Sequence, residues 1–135
     1  FLDNGYTKEE MKMVWETKKI LGDENVLVNP TAVRVPVFFG HGESLHIETR
    51  SQISAEEVKV LLSQAEGIVV CQNDEDFPTQ ITDASGKDET FVGRIRDDIS
   101  HAHGINMWIV ADNVRKGAAT NSVQIAELLV KDYLS

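Results

Sequence analysis

Apolar residues near the start of the chain recur at helical spacing. In "TKEEMKMVWETKKIL" they fall every three to four positions, at Met11, Val14 and Trp15. Thr7, with Glu10 three residues later, has the pattern in which a side chain and the backbone cap each other at a helix start. Gly22 is suited to end the helix, because glycine tolerates the left-handed backbone of a C-cap. The pattern therefore predicts a first helix between Thr7 and Gly22.

Two later segments have the same period. Ser54 and Glu57 repeat the capping pattern and precede a second predicted helix. One face of that helix carries Val58, Leu61, Leu62 and Ala65. A terminal helix is predicted after Gly117. Its shared face carries Ser122, Ile125, Ala126 and Leu129.

The remaining apolar runs favour strands. The run from Ala32 to Phe39 predicts a strand, and the alternating "LHIETRS" that follows predicts its pairing partner. "GIVVCQ" predicts a short buried strand, and "TFVGRIR" and "INMWIVA" predict two more. The acidic "NDEDFPTQITDASGKDE" between them is typical of a surface loop. The predicted order is αββαβββα, which indicates an α/β (α+β) fold with helices packed on a mixed sheet.

Composition narrows the class of protein. A length of 135 residues fits one domain or part of one, and a net charge of -9 argues against a broad nucleic-acid footprint. No apolar run is long enough to suggest a membrane span. The single cysteine, Cys71, excludes an internal disulfide and fits the reducing cytoplasm. Because the chain opens with Phe1 instead of Met, we expect a piece of a larger protein.

The stretch "VRVPVFFGHGES" holds the main candidate chemistry. His41 lies between Gly40 and Gly42, where the backbone can bend or be approached closely. In a regular strand Arg34 and Pro36 would face away from the side that carries Val33, Val35, Val37, Phe39 and His41. A site shared by Arg34 and His41 would therefore need the strand to end or bulge near Gly40. In the alternative interpretation Arg34 forms a structural salt bridge and His41 is a turn residue, and spacing alone does not decide between the two.

Other polar groups are less specific. Glu9 and Lys12 are neighbours on a helix surface, and they could form a weak solvated ion pair or hold a ligand bearing an amine and an anion. "HAHG", with His101 and His103, lacks the remaining ligands of a metal site, so no metal is expected. The acidic run Asp74, Glu75 and Asp76 lacks the spacing of a calcium loop.

Three long segments carry a family resemblance: "VRVPVFFGHGESLHIET", "FVGRIRDD" and "INMWIVADNVRKGAATNSVQIAELL". In register from Gly5 to Leu134, the chain resembles the carboxyl-terminal part of aspartate-semialdehyde dehydrogenase. The resemblance implies the second domain of enzymes like glyceraldehyde-3-phosphate dehydrogenase, with residues 1–135 binding substrate and forming the dimer. It implies reduction of L-aspartyl 4-phosphate by NADPH to L-aspartate 4-semialdehyde and phosphate, on the path to lysine, methionine and threonine. The family's amino-terminal nucleotide-binding domain and catalytic cysteine have no counterpart here, so this chain alone should be inactive.

The resemblance also implies roles for five residues. His41 matches the general acid/base, and Arg34 the clamp on the substrate carboxylate. Glu9 matches the acid that receives the substrate amine, Lys12 the base that holds phosphate, and Asn113 a contact to the nicotinamide of NADP. The expected partners are a small-molecule substrate and a second copy of the chain, with no nucleic acid and no membrane. Two alternatives stay open: the related N-acetylglutamyl-phosphate reductase, whose substrate lacks a free amine, and a non-catalytic dimerisation or binding module.

Overall fold

A computed structural model describes residues 1–72 and 77–134. The chain divides into two compact units, Phe1–Pro36 and the residues from Val37 onward. The acidic run Asp74, Glu75 and Asp76 lies outside the described residues. Among the described residues, no helix is long and apolar enough to cross a membrane.

The first unit is built around helix α1, Lys8–Leu21. Oγ1 of Thr7 accepts the Glu10 N–H at 3.1 Å, and Oε2 of Glu10 accepts the Thr7 N–H at 2.7 Å. Gly22 ends the helix with φ 64° in the left-handed region, and its N–H points to the carbonyls of Lys18 and Lys19. Both predicted caps are confirmed. They could be predicted because each signal lies within a few residues of the chain.

The predicted strand from Ala32 to Phe39 is wrong. This segment is irregular, and its valine and phenylalanine side chains do not alternate across a sheet. Pro36 has no N–H to give to a ladder, and the N–H of Ala32 donates to the Glu10 carboxylate instead of to a neighbouring strand. The strand begins only at His41, after Gly40. Arg34 and His41 therefore do not lie on opposite faces of one regular strand, as the sequence pattern had suggested.

The second unit contains a four-stranded mixed sheet, which confirms the predicted fold class. Its strands are β1 (His41–Glu48), β2 (Ile68–Val70), β3 (Thr90–Asp97) and β4 (Gly104–Ala111). They are arranged β1-β4-β3-β2, with β2 and β3 parallel and the other pairs antiparallel. "LHIETRS" therefore pairs with β4 and not with the run before it. The described elements follow the order αβαβββα, one strand fewer than predicted.

One face of the sheet is covered by helix α2, Ala55–Ser63, which the predicted capping box of Ser54 and Glu57 starts. Val58 and Leu62 point into the core, whereas Leu61 is exposed. The core itself consists of Ala55, Val92, Ile95, Ile105 and Met107. The predicted terminal helix is also present as α3, Thr120–Leu129, with a π-helical turn at each end.

The other face of the sheet meets a π-helical turn, Gln80–Ala84. Ala84 of this turn and Val110 of β4 are fully buried. The indole N–H of Trp108 donates to the carbonyl of Pro78 at 2.8 Å, which fixes the approach to the turn. The sequence predicted a loop with little regular structure here, because the acidic and glycine-containing composition hides the short turn.

Candidate functional site

His41 is the first residue of β1 and lies opposite Ala111, the last residue of β4. The residue before it, Gly40, has φ +88°, a backbone conformation that side chains other than glycine rarely adopt. The imidazole of His41 is exposed, and no described residue forms a hydrogen bond with it. The histidine is thus held at a fixed backbone position with its ring available to a ligand.

Asn113 is tied to the backbone just before His41. It follows β4 by two residues and is half-buried, and its Oδ1 accepts the Gly40 N–H at 3.0 Å. The two residues are 73 positions apart in the chain. The described residues offer no hydrogen-bond acceptor to the amide nitrogen of Asn113. The structure thus brings Asn113 to the Gly40–His41 corner and leaves one end of its amide for another group.

Asp112 holds the turn that presents Asn113. Its buried carboxylate accepts the N–H of Val114 at 2.9 Å and of Arg115 at 3.3 Å through Oδ1, and the N–H of Gly86 at 2.9 Å through Oδ2. The bond from Gly86 is the main cause that lowers the pKa of Asp112. Sequence reasoning missed this residue, although an Asp directly after a strand and before a helical segment is a known capping signal.

Close packing explains both glycines around His41. A Cβ on Gly42 would lie 2.6 Å from Cη2 of Trp108, and one on Gly40 would lie 3.0 Å from Cβ of Gln80. From the sequence, these glycines were expected to let the backbone bend or be approached closely. The structure gives a direct reason, which is that the Gln80 turn and the Trp108 ring press against this corner.

Glu9 and Lys12 both lie exposed near the start of α1. No ion pair joins them in the part of the chain that the structure describes. The equivalent pair on α2, Glu56 and Lys59, has the same spacing and does form an ion pair, at 2.8 Å. The carboxylate of Glu9 and the ammonium group of Lys12 are therefore both available to a ligand.

Arg34 lies exposed in the irregular segment of the same unit, two residues beyond Ala32. It makes no ion pair with the described residues of this unit. The segment is held to α1 by Glu10, which is 8% exposed and whose Oε1 accepts the Ala32 N–H at 2.9 Å. Hydrogen bonds from the Thr7 backbone, the Ala32 backbone and the Thr7 hydroxyl lower the pKa of Glu10, in that order of size. The sequence marked Glu10 only as a cap.

The histidines outside this corner contact protein groups. The rings of His101 and His103 meet edge to face with centroids 5.9 Å apart, and Nδ1 of His103 lies 3.3 Å from the Thr49 carbonyl oxygen. Across residues 1–72 and 77–134, no three His, Cys, Asp or Glu side chains are grouped to hold a metal ion.

A known protein-family profile matches most of this chain. The profile described as "Semialdehyde dehydrogenase, dimerisation domain" matches residues 1–116, a span that holds both units' candidate residues. The chain belongs to this family. The resemblance inferred from the sequence is confirmed, and the family is one of oxidoreductases.

Individual relatives of the chain are named as aspartate-semialdehyde dehydrogenases. The chain is 66% identical over 133 residues to aspartate-semialdehyde dehydrogenase 2 of Vibrio cholerae serotype O1, and 62% identical over 133 residues to the aspartate-semialdehyde dehydrogenase of Shewanella violacea. Each alignment covers 98% of this chain and 39% of the relative. The chain therefore spans about two fifths of the length of these dehydrogenases.

Solved structures share the fold. The aspartate semialdehyde dehydrogenase II of Vibrio cholerae, complexed with ASA, superposes with a TM-score of 0.94 at 66% identity. A probable aspartate-semialdehyde dehydrogenase from Pseudomonas aeruginosa superposes with a TM-score of 0.88 at 37% identity. Each covers 98% of this chain and 39% of the solved chain. The fold expected from the resemblance is confirmed.

Proposed function

We propose that residues 1–135 are the carboxyl-terminal substrate-binding and dimerisation domain of a cytoplasmic aspartate-semialdehyde dehydrogenase. The reaction is reduction of L-aspartyl 4-phosphate with NADPH to L-aspartate 4-semialdehyde and phosphate, with the nucleotide-binding domain and the nucleophilic cysteine on a separate part of the enzyme. The observation that carries this proposal is the 66% identity and TM-score of 0.94 to the Vibrio cholerae enzyme complexed with ASA.

His41 serves as the general acid/base. Histidine is the side chain best suited to accept and donate a proton near neutral pH. Its exposed ring at the start of β1 and the fixed backbone at Gly40 support this role. His41 takes the proton from the attacking thiol and gives it to the phosphate oxygen that leaves when the tetrahedral intermediate collapses to the thioester.

Three residues of the first unit recognise the substrate. Arg34 pairs with its carboxylate, since a planar guanidinium suits bidentate contact. Glu9 receives its ammonium group, and Lys12 holds its phosphate. Their support is chemical complementarity: an amino acid phosphate presents one cation and two anions, and Glu9, Lys12 and Arg34 offer one exposed carboxylate and two exposed cations.

NADP is the cofactor, and its reduced form, NADPH, would supply the hydride when bound. Asn113 fits a contact to its carboxamide, because Oδ1 is engaged by Gly40 and the amide nitrogen is left to donate to a carbonyl oxygen. Asp112 keeps Asn113 in place for this contact.

The enzyme works as a homodimer. Membership in a dimerisation-domain family supports this assembly. The eight-residue strand β1 also lies at the edge of the sheet, where unpaired backbone groups and exposed side chains can meet a second copy.

The test compares two aldehydes with the complete product of the gene that encodes this chain, referred to below as the parent protein. We expect phosphate-dependent NADP reduction with aspartate semialdehyde and little with N-acetylglutamate semialdehyde, whose amine is acylated. Glu9→Gln should raise the KM for aspartate semialdehyde roughly tenfold or more, since a charged hydrogen bond to the amine is lost. Glu56→Gln removes the equivalent carboxylate of α2 and should leave KM unchanged.

Other outcomes favour the alternatives. Preference for the acylated aldehyde, or a KM that does not respond to Glu9→Gln, would favour the N-acetylglutamyl-phosphate reductase. A parent protein that reduces NADP with neither aldehyde would favour a non-catalytic dimerisation module.

A further inference from the structure

We propose that Glu10 is a positioning residue for substrate recognition: it fixes the backbone that carries Arg34 to the turn of α1 that presents Glu9 and Lys12. This inference rests on the proposed function and names the group that sets the spacing between the carboxylate-binding and amine-binding side chains. Glu10 acts through these residues and has no contact of its own with substrate in this account.

The geometry of Glu10 supports this role. Its Oε2 accepts the N–H of Thr7 at 2.7 Å and the hydroxyl of Thr7 at 2.9 Å. Its Oε1 accepts the N–H of Ala32, 22 residues away, at 2.9 Å. The two oxygens of one buried carboxylate thus join the start of α1 to the irregular segment. Arg34 follows Ala32 by two residues, and Glu9 precedes Glu10 directly.

A second capping box in the same chain shows which of the bonds of Glu10 goes beyond helix capping. Glu57 of α2 accepts the N–H of Ser54 at 2.8 Å and its hydroxyl at 2.7 Å, as Glu10 does with Thr7. Both of these bonds go to Oε2, and Glu57 is exposed. Capping alone therefore explains Glu57 but leaves the Ala32 bond and the burial of Glu10 unexplained.

The Ala32 bond matters because the irregular segment has no other regular support. Residues 31–36 belong to no helix or strand, so their backbone is not held by a ladder. A charged acceptor makes a stronger hydrogen bond than a neutral one, and burial excludes competing water. Fixing the backbone at Ala32 reduces the freedom of Arg34 before substrate arrives, which lowers the entropy cost of binding.

The kinetic test compares Glu10→Ala with Glu57→Ala in the parent protein. Both variants lose a capping box, and Glu10→Ala should lose more thermal stability because it also loses the bond from Ala32. Glu10→Ala should raise the KM for aspartate semialdehyde roughly tenfold with kcat changed less than about twofold, because it weakens binding in ground and transition states alike. Glu57→Ala should leave KM unchanged. Glu10→Gln, which keeps an oxygen for Ala32, should restore most of the lost affinity.

A second readout needs no activity. Amide hydrogen exchange at Ala32 should be at least about tenfold faster in Glu10→Ala than in the unmodified protein, and unchanged in Glu57→Ala. If the unmodified parent protein does not reduce NADP, the proposed function fails, and exchange at Ala32 alone decides whether Glu10 holds this segment. If it is active but KM and exchange respond equally in Glu10→Ala and Glu57→Ala, the positioning role is overturned and the proposed function stands.

Discussion

At the residue scale, buried carboxylates hold the irregular parts of the chain. Glu10 accepts hydrogen bonds at Thr7 and Ala32, and Asp112 accepts them at Gly86 and at the turn after β4. The bonds that each carboxylate makes to nearby residues could be predicted from the sequence, since a capping box, for example, spans only four residues. The bonds to Ala32 and Gly86 cross 22 and 26 residues, and no local pattern announces them.

A third polar cluster, around His46, makes the stability of the folded chain depend on pH. On the sheet, Nε2 of His46 lies 3.3 Å from Glu48, and its Nδ1 lies 3.2 Å from Asp98 and 3.3 Å from the amide oxygen of Asn106. The hydrogen bond to Glu48 contributes most to a raised pKa of His46, followed by the bond to Asn106. Hydrogen bonds from Ser100 are the main cause that lowers the pKa of Asp98.

The raised pKa predicts that protonated His46 stabilises the folded chain. A raised pKa means that the folded state holds the proton more tightly, so the contribution is complete below the ordinary value of 6.5 and is lost as pH rises through the folded value. His46→Gln should therefore lower the melting temperature more at about pH 6 than at about pH 8.5.

The control for this prediction is His101→Gln, which removes a histidine that has no ion pair in the described part of the chain. Its effect on the melting temperature at each pH is the baseline against which the effect of His46→Gln is compared. An equal effect of His46→Gln at both pH values would contradict the stabilising cluster. Because His46 is partly exposed, the effect should also shrink at high salt.

At the element scale, helices were predictable and one strand was not. Thr7, Gly22 and Ser54 mark helix ends with signals that lie within four residues. The run from Ala32 to Phe39 has strand-like composition, but a strand also needs a partner, and pairing depends on residues far along the chain. The true partner of "LHIETRS" is β4, about 60 residues later, as the pair His46 and Asn106 shows.

The contact between β1, β4 and the π-helical turn gives a second prediction. Gly42→Ala would place a methyl group against the rigid ring of Trp108, and should destabilise the chain by about 1–3 kcal/mol through overpacking. Gly117→Ala is the matched control, because its Cβ would meet only ordinary contact, 3.8 Å from Cβ of Asn113. Urea unfolding of both variants measures the difference. A Gly42→Ala variant as stable as Gly117→Ala would show that this corner is loosely packed.

At the scale of the whole molecule, the family came from long stretches of sequence and not from periodicity or spacing. The polar set of His41, Arg34, Glu9 and Lys12 gave no decision by itself, because each residue also has an ordinary structural explanation. The two units divide this set, with Glu9, Lys12 and Arg34 in the first and His41 in the second. In the proposed function, the second unit carries the acid/base chemistry and the first recognises the substrate.

The most direct test of this account is the rate of phosphate-dependent NADP reduction with aspartate semialdehyde by the parent protein, with and without His41→Asn. His101→Asn is the matched control. We expect activity in the unmodified protein and in the control, and a kcat/KM lowered about 10²–10⁴-fold in His41→Asn, which is the usual size of general acid/base catalysis. A His41→Asn variant within a few fold of the unmodified protein, or a parent protein with no activity on this aldehyde, would contradict the account.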